Sequence, residues 1–293
     1  MVKINPVLRN ESKISSRTFR ISLMIFFYIL FLTIPILFMY YISTSESYYM
    51  GMNPSIFVNL YLLIACVQAV LLMFIVPALS APAITSEREK QTLDILLSTK
   101  MTPLSIVTGK LLASASKVIL LILCTIPIYS LGFLFGGVNF FQIIMLNLYF
   151  IITTLYVSAI GVCISSFVKT SKVANVLTYG LVLFVVIGTI GIFLIYTFIY
   201  VSKNHGMNSM LNLKIPFWLY INPALGFVGL LKSQIGAIGP LTILNEYSTT
   251  INPFLAMGVQ SVLTILLILL ASFKLNPLNN KFSIKKFKVK KVK

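Results

Sequence analysis

The sequence predicts an all-α polytopic membrane protein with six transmembrane helices and cytoplasmic N- and C-termini. Three observations predict it. Of 293 residues, 58% are hydrophobic and 10% charged, with mean hydropathy +0.97, which is more apolar surface than a soluble core of this size can bury. Six apolar runs, at about 21–42, 56–84, 113–136, 140–168, 173–201 and 251–273, each supply the roughly 20 residues needed to cross about 30 Å of hydrocarbon. The links between them carry sharply unequal positive charge.

The first run, from Ile21 to about Ile42, follows a polar segment with Lys3, Arg9, Lys13, Arg17 and Arg20. It is too long for a secretory signal core and no small-residue cleavage motif follows, so it reads as an uncleaved anchor. With six spans, alternate links face opposite sides. One side receives the N-terminal five, then Arg88, Lys90, Lys100, Lys110 and Lys117, then Lys169 and Lys172, then eight basic residues from Lys274 to Lys293, against Glu11, Glu87, Glu89 and Asp94. The other holds only Lys203, Lys214 and Lys232, with Glu46 and Glu246. The positive-inside rule makes the first side the cytoplasm, and the excess of 17 positive charges becomes a topology signal. The chain thus divides into a cytoplasmic interfacial segment (1–20), one six-span domain (21–273) and a basic cytoplasmic tail (274–293). The tail, KFSIKKFKVKKVK, suits anionic lipid headgroups rather than nucleic acid. Tyr40, Tyr41, Tyr48, Tyr49, Tyr196 and Tyr200 crowd the span ends as interfacial anchors, and Trp218 sits in the outer loop. Cys66, Cys124 and Cys163 lie far apart in apolar runs and read as small buried hydrophobes.

The link between the second and third spans reads ITSEREKQTLDILLSTKMTPLSIVTGKLLASASK. Ser86 followed by Glu89 has the spacing of a capping box, which predicts a helix beginning at Glu87 with acids in its first turn. Leu93, Leu96 and Leu97 recur at i, i+3, i+4, an apolar ridge opposite Arg88, Glu89, Lys90, Gln91 and Asp94. Lys100 suits the C-terminal end, and Thr102-Pro103 marks a stop and a new start. Such a helix either floats on the bilayer or docks into a soluble partner; its mixed charge differs from the mainly basic face of an interfacial helix and favours a protein. Lys110 and Lys117, seven apart on one face, read as snorkelling at the boundary.

Between 202 and 250 the outer segment is apolar but broken by Pro216, Pro223 and Pro240 and by Gly226, Gly229, Gly236 and Gly239. Short helices that re-enter the outer leaflet before the sixth span fit it better than a seventh crossing. In the fifth span Gly180, Gly188 and Gly191 allow close packing or flexing, packing being the safer reading.

No catalytic constellation is legible. Gly109-Lys110 lacks the P-loop spacing, His205 stands alone in the outer segment, no metal-ligand pattern occurs, and all six acids fall in loops or flanks, where an ion-coupled pump would carry them near the midplane.

Three patches resemble permease subunits of ABC transporters of the ABC-2 type: INPVLRNESKISSRTFR at 4–20, SEREKQTLDILLSTKMTPLSIVTGKLL at 86–112, and NPALGF at 222–227. The second is the most specific, being similar to the family's SEREKGTLDLLL-type loop, with Gln91 where glycine is frequent; that change is expected to tighten the helix. The resemblance implies that residues 86–100 form a coupling helix inserted into a cleft of a separate ATPase, carried by Ser86, Glu87, Arg88, Glu89, Lys90, Thr92, Leu93, Asp94, Leu96 and Leu97. It implies a connecting segment with Asn5, Pro6, Arg9, Arg17 and Arg20, and re-entrant helices around 210–245. It also implies a plasma-membrane exporter subunit working with a second permease, identical or paralogous, surrounded by lipid, with ATP and magnesium held by the ATPase and no cofactor in this chain. A membrane-anchored sensor that recruits a partner without transport shares the helix but not the pore. A secondary transporter is disfavoured by the missing midplane acids.

Overall fold

The computed structural model describes residues 19–47, 54–98, 101–134, 138–203, 216–235 and 251–276. Among these residues there is helix and no strand, and six helices are long and apolar enough to cross a membrane. Span 1 is α1 (Phe19–Ser47), and span 2 is α2 (Pro54–Ser80). After Ala81 the chain continues into α3 (Pro82–Glu89), and α4 (Leu93–Ser98) is a short separate turn. Span 3 is α5 (Pro103–Cys124) with α6 (Ile126–Leu134), and span 4 is α7 (Phe140–Phe167). Span 5 comprises α8 (Ser171–Leu183), a π-helical turn (Phe184–Gly188) and α9 (Thr189–Lys203). A 3₁₀ turn (Phe217–Ile221) and α10 (Pro223–Ile235) precede span 6, α11 (Pro253–Leu275).

The starts follow local chemistry. Pro103 and Pro253 occupy first-turn positions, where no N–H is needed. Thr102 accepts from the N–H of Ser105 at 3.3 Å and Asn252 from that of Phe254 at 3.0 Å, so the predicted start at Thr102-Pro103 is present. Gln142 reaches back to the N–H of Asn139 at 2.9 Å.

Span 4 is the centre of the bundle: 67% of its most apolar stretch is buried, against 11% in span 1 and 6% in span 5. It packs against spans 2, 3 and 6. Close approach explains the glycines that matter. A Cβ on Gly161 would strike Ser80, one on Gly229 would strike the carbonyl of Ile251, and one on Gly226 would lie 2.5 Å from Tyr149 Oη and 2.8 Å from Ala256 Cβ. Gly180 and Gly191, expected to serve packing, have nothing within 4 Å of that position, and Gly188 meets only the Phe184 ring of its own turn. Within this chain the fifth-span glycines therefore do not bring helices together. Nor are all three cysteines buried: Cys163 is, whereas Cys66 is exposed.

Helix α10, 13 residues and about 20 Å long, is too short to cross a membrane. It packs on spans 2, 4 and 6. Tyr61 Oη donates to Gln234 Oε1 at 2.7 Å, and the Gln142 and Gln234 amides donate to each other's backbone carbonyls at 2.7 and 2.9 Å. Its start is fixed by Asn222, whose Oδ1 accepts from the N–H of Ala224 at 2.8 Å.

Candidate functional site

The 27 residues of α2 extend about 40 Å, beyond a hydrocarbon core of about 30 Å. Helix α3 continues this span beyond the length that a crossing needs. Its N-terminus has no cap of its own; Ser165 on span 4 supplies one, its Oγ accepting from the N–H groups of Ile84 and Thr85 at 3.0 Å each. Thr85 Oγ1 in turn donates to Ser171 Oγ at 3.1 Å.

Three consecutive charged side chains at the other end of α3 reach three different spans. Glu87 Oε1 accepts from Lys110 Nζ of span 3 at 2.7 Å, and its other oxygen accepts from Thr92 Oγ1. Arg88 donates to the last carbonyls of span 4, through Nη2 to Ser166 at 3.3 Å and through Nη1 to Val168. Glu89 accepts from both the N–H and the Oγ of Ser171, at 2.7 Å each, at the start of span 5. Thr170, at the N-cap position there, makes no side-chain cap. A cation thus stands at the negative end of α7 and an anion at the positive end of α8, each favourable with the helix dipole.

The hydrogen bonds set the acidity of both carboxylates. Burial pushes Glu87 up, but the hydrogen bonds from Lys110 and Thr92 and the positive charge of Lys110 outweigh it, and its pKa lies below the ordinary value. The backbone N–H of Ser171, followed by its hydroxyl, lowers that of Glu89.

The structure reverses the local reading around Ser86. Glu89 ends a helix instead of stabilising its start: it reaches Ser171 rather than the backbone of Ser86, and Ser86 lies inside α3. Gln91 adopts φ 59°, the left-handed region. The N–H of Thr92 bonds the carbonyl of Glu87 at 2.9 Å and that of Gln91 the carbonyl of Arg88 at 3.1 Å, which is the Schellman ending usually built on glycine. Gln91 breaks the helix that it was expected to tighten, and residues 86–100 are not one helix. Lys110 does not snorkel; it is 8% exposed and paired with Glu87.

Leu93, read as part of a ridge facing a partner, is buried at 7% against Ile84, Val107, Leu111 and Ala271. Burying such a side chain contributes about 1.5–3 kcal/mol, so Leu93 anchors the tip to its own bundle. Lys90, Gln91 and Ile95 are exposed, Ile95 at 67%. Asp94, Leu96 and Leu97 lie on α4, but their side chains, like that of Arg20, fall outside the described residues, and Asn5, Pro6, Arg9 and Arg17 fall outside them altogether.

A second junction was not legible in sequence. In the π turn of span 5 the helical register slips by one residue and exposes a carbonyl. Within this turn Asn222 Nδ2 donates to the carbonyl of Val186 at 2.9 Å, and just after it to Thr189 Oγ1 at 2.7 Å.

Residues 53–270 match the family described as "ABC-2 family transporter protein". No curated protein matches the chain.

Proposed function

The chain belongs to the ABC-2 transporter family and is a multi-pass plasma-membrane permease of an ABC transporter, and on that premise we propose that it exports its substrate with ATP hydrolysed, with magnesium, on a separate cytoplasmic subunit. The observation that carries the reading is the grip of Glu87, Arg88 and Glu89 on spans 3, 4 and 5. A tip held in this way moves three spans when it is pushed, which a passive surface helix would not do.

In this reading the tip between α3 and α4 lies in the cytoplasm and is the coupling element, but the residues offered to the ATPase are Lys90, Gln91 and Ile95, with Leu93 as their internal anchor. Nucleotide-driven closure of two ATPase subunits displaces the tip. The hydrogen-bonded ends of spans 4 and 5 follow, and each access state is favoured only by its differential contacts with the partner. Helix α10 is the re-entrant element on the outer side. Spans 1 and 5, the least covered by their own chain, leave their faces to lipid and to a second permease, the same chain or a paralogue.

Copurification with a P-loop ATPase, and vesicle transport that requires ATP, test the proposal. Ile95→Asp with Lys90→Glu should abolish association with the ATPase while membrane insertion is unchanged. Association that survives this pair and also survives deletion of the tip overturns the coupling role, and binding of an ATPase without any transport leaves a recruiting anchor instead.

A further inference from the structure

At the end of the bundle that carries the tip, two exposed lysines flank one aromatic ring. Ala271 and Leu275 of span 6 are buried with Ile84 of α3, so this end of span 6 lies beside the tip. Val262, Ile265, Leu266, Leu269 and Phe273 are all exposed, and their spacing of three and four residues gathers them into one outward strip. Lys274 follows the strip. It is the last residue but one of a 23-residue helix, about 32 Å from its start and so at the edge of a hydrocarbon core of about 30 Å.

Lys274 Nζ stands 5.6 Å from the centre of the Phe167 ring, which is itself exposed at the end of span 4. An ammonium over a ring face keeps its charge while the ring holds it in place. Val168 is extended and sets Lys169 about 7 Å beyond Phe167. Both lysines are exposed. The carboxylates described at this end are engaged elsewhere, Glu87 with Lys110, and Glu89 with Ser171 and the nearby charge of Lys172. Neither Lys169 nor Lys274 has an acidic partner among the described residues.

Two cations at headgroup depth, above a strip of exposed aliphatic and aromatic carbon, complement one kind of molecule. We infer that this corner between spans 4 and 6 binds an anionic phospholipid, with its phosphate between Lys169 and Lys274 and an acyl chain along Val262–Phe273. A soluble anion would use the lysines and not the strip. A phosphatidylcholine would bring a second, positive group against the same lysines, whereas phosphate is the only charge on a phosphatidylglycerol. The site belongs to the spans themselves and not to the basic run at 281–293.

The test uses the whole chain in phosphatidylcholine nanodiscs and needs neither ATP nor an ATPase, so its result is separate from the transport reading. Phosphatidylglycerol or phosphatidylcholine with a diazirine in one acyl chain is added at equal trace amounts and photolysed, and adducts are mapped by mass spectrometry. On residues 262–273 phosphatidylglycerol should label about twentyfold more than phosphatidylcholine. Lys169→Gln and Lys274→Gln should each lower that ratio about fivefold, and together bring it near one. Lys274→Arg should keep it, Phe167→Leu should lower it about twofold, and Lys203→Gln, at the opposite end of span 5, should leave it unchanged. All five side chains are exposed, and the melting temperature in phosphatidylcholine alone should not move. A ratio near one in the parent protein, or one indifferent to the double lysine variant, overturns the site. So does an equal ratio on every outward face, which is general surface attraction, and so does displacement by soluble glycerol phosphate, which marks an anion site without a lipid.

Discussion

Glu89 at the end of α3 caps Ser171 at the start of α8, each carboxylate oxygen accepting one 2.7 Å hydrogen bond across 82 residues of sequence. Because Arg88 holds the preceding carbonyls of span 4, the turn between spans 4 and 5 is tied to the tip of span 2. A hinge placed there would have to break four charge-assisted hydrogen bonds together.

Replacing Glu89 by alanine removes the acceptor of the first N–H of α8, that of Ser171. Amide exchange at Ser171–Ala174 should then rise severalfold, while Val162 and Ile164 on span 4 stay protected. Glu89→Gln keeps one acceptor without the charge and should fall between the two. If exchange at Ser171 is the same in all three proteins, the cap carries no weight.

The same carboxylate gives a pH signature. Its folded pKa is lowered, first by the Ser171 N–H and then by the hydroxyl, so its stabilisation is complete above the unfolded value of about 4.3 and is lost as pH falls through the lower folded value. Protection of Ser171 should be flat from pH 8 to about 5 and decline only below about 4. A decline already present at pH 6 would contradict it.

The Glu87–Lys110 pair, largely withdrawn from water, predicts a double-mutant signature. Glu87→Met takes the carboxylate away from a buried ammonium and should cost about 2–3 kcal/mol; Lys110→Met, which leaves Glu87 the Thr92 hydroxyl as a donor, should also cost stability. The double methionine variant should recover most of the loss. Additive losses in thermal melts would show that the two side chains do not act together.

Gln91 at φ 59° carries a side chain in a region costing non-glycine residues about 1–2 kcal/mol. Gln91→Gly should therefore raise stability by about 1 kcal/mol and the apparent melting temperature by about 2 °C, despite the lower helix propensity of glycine. A loss instead would mean that the tip is helical through residue 91.

The six spans and the start at Thr102-Pro103 were legible because each depends on residues within one helix length. What was not legible depends on distant partners or on backbone shape. Ser86 and Glu89 have the spacing of a capping box, but that spacing also occurs inside a helix, and the true acceptor partnership of Glu89 is with Ser171. Lys110 reads as a boundary lysine until Glu87 is placed beside it. Gln91 hides a left-handed turn because it is not glycine, and the slip of register at Phe184–Gly188 leaves no mark in an all-apolar run. The SEREK motif therefore marks where contacts to spans 3, 4 and 5 gather, while its local grammar pointed the helix the wrong way.

The link between Asn222 and the π turn gives the last prediction. Its Nδ2 satisfies the carbonyl of Val186 and the hydroxyl of Thr189, while its Oδ1 caps α10, so the two ends of one amide join the π turn of span 5 to the helix before span 6. Asn222→Asp retains the cap and loses the donor; Asn222→Ala loses both. Exchange across Val185–Ile190 should rise in both variants, whereas α10 should loosen only in Asn222→Ala, at a cost of about 1–2 kcal/mol. Transport should slow in both with ATPase association unchanged, since the amide is remote from the tip. If Asn222→Asp behaves as the parent protein, the π turn holds its shape without Asn222 and the two segments move independently.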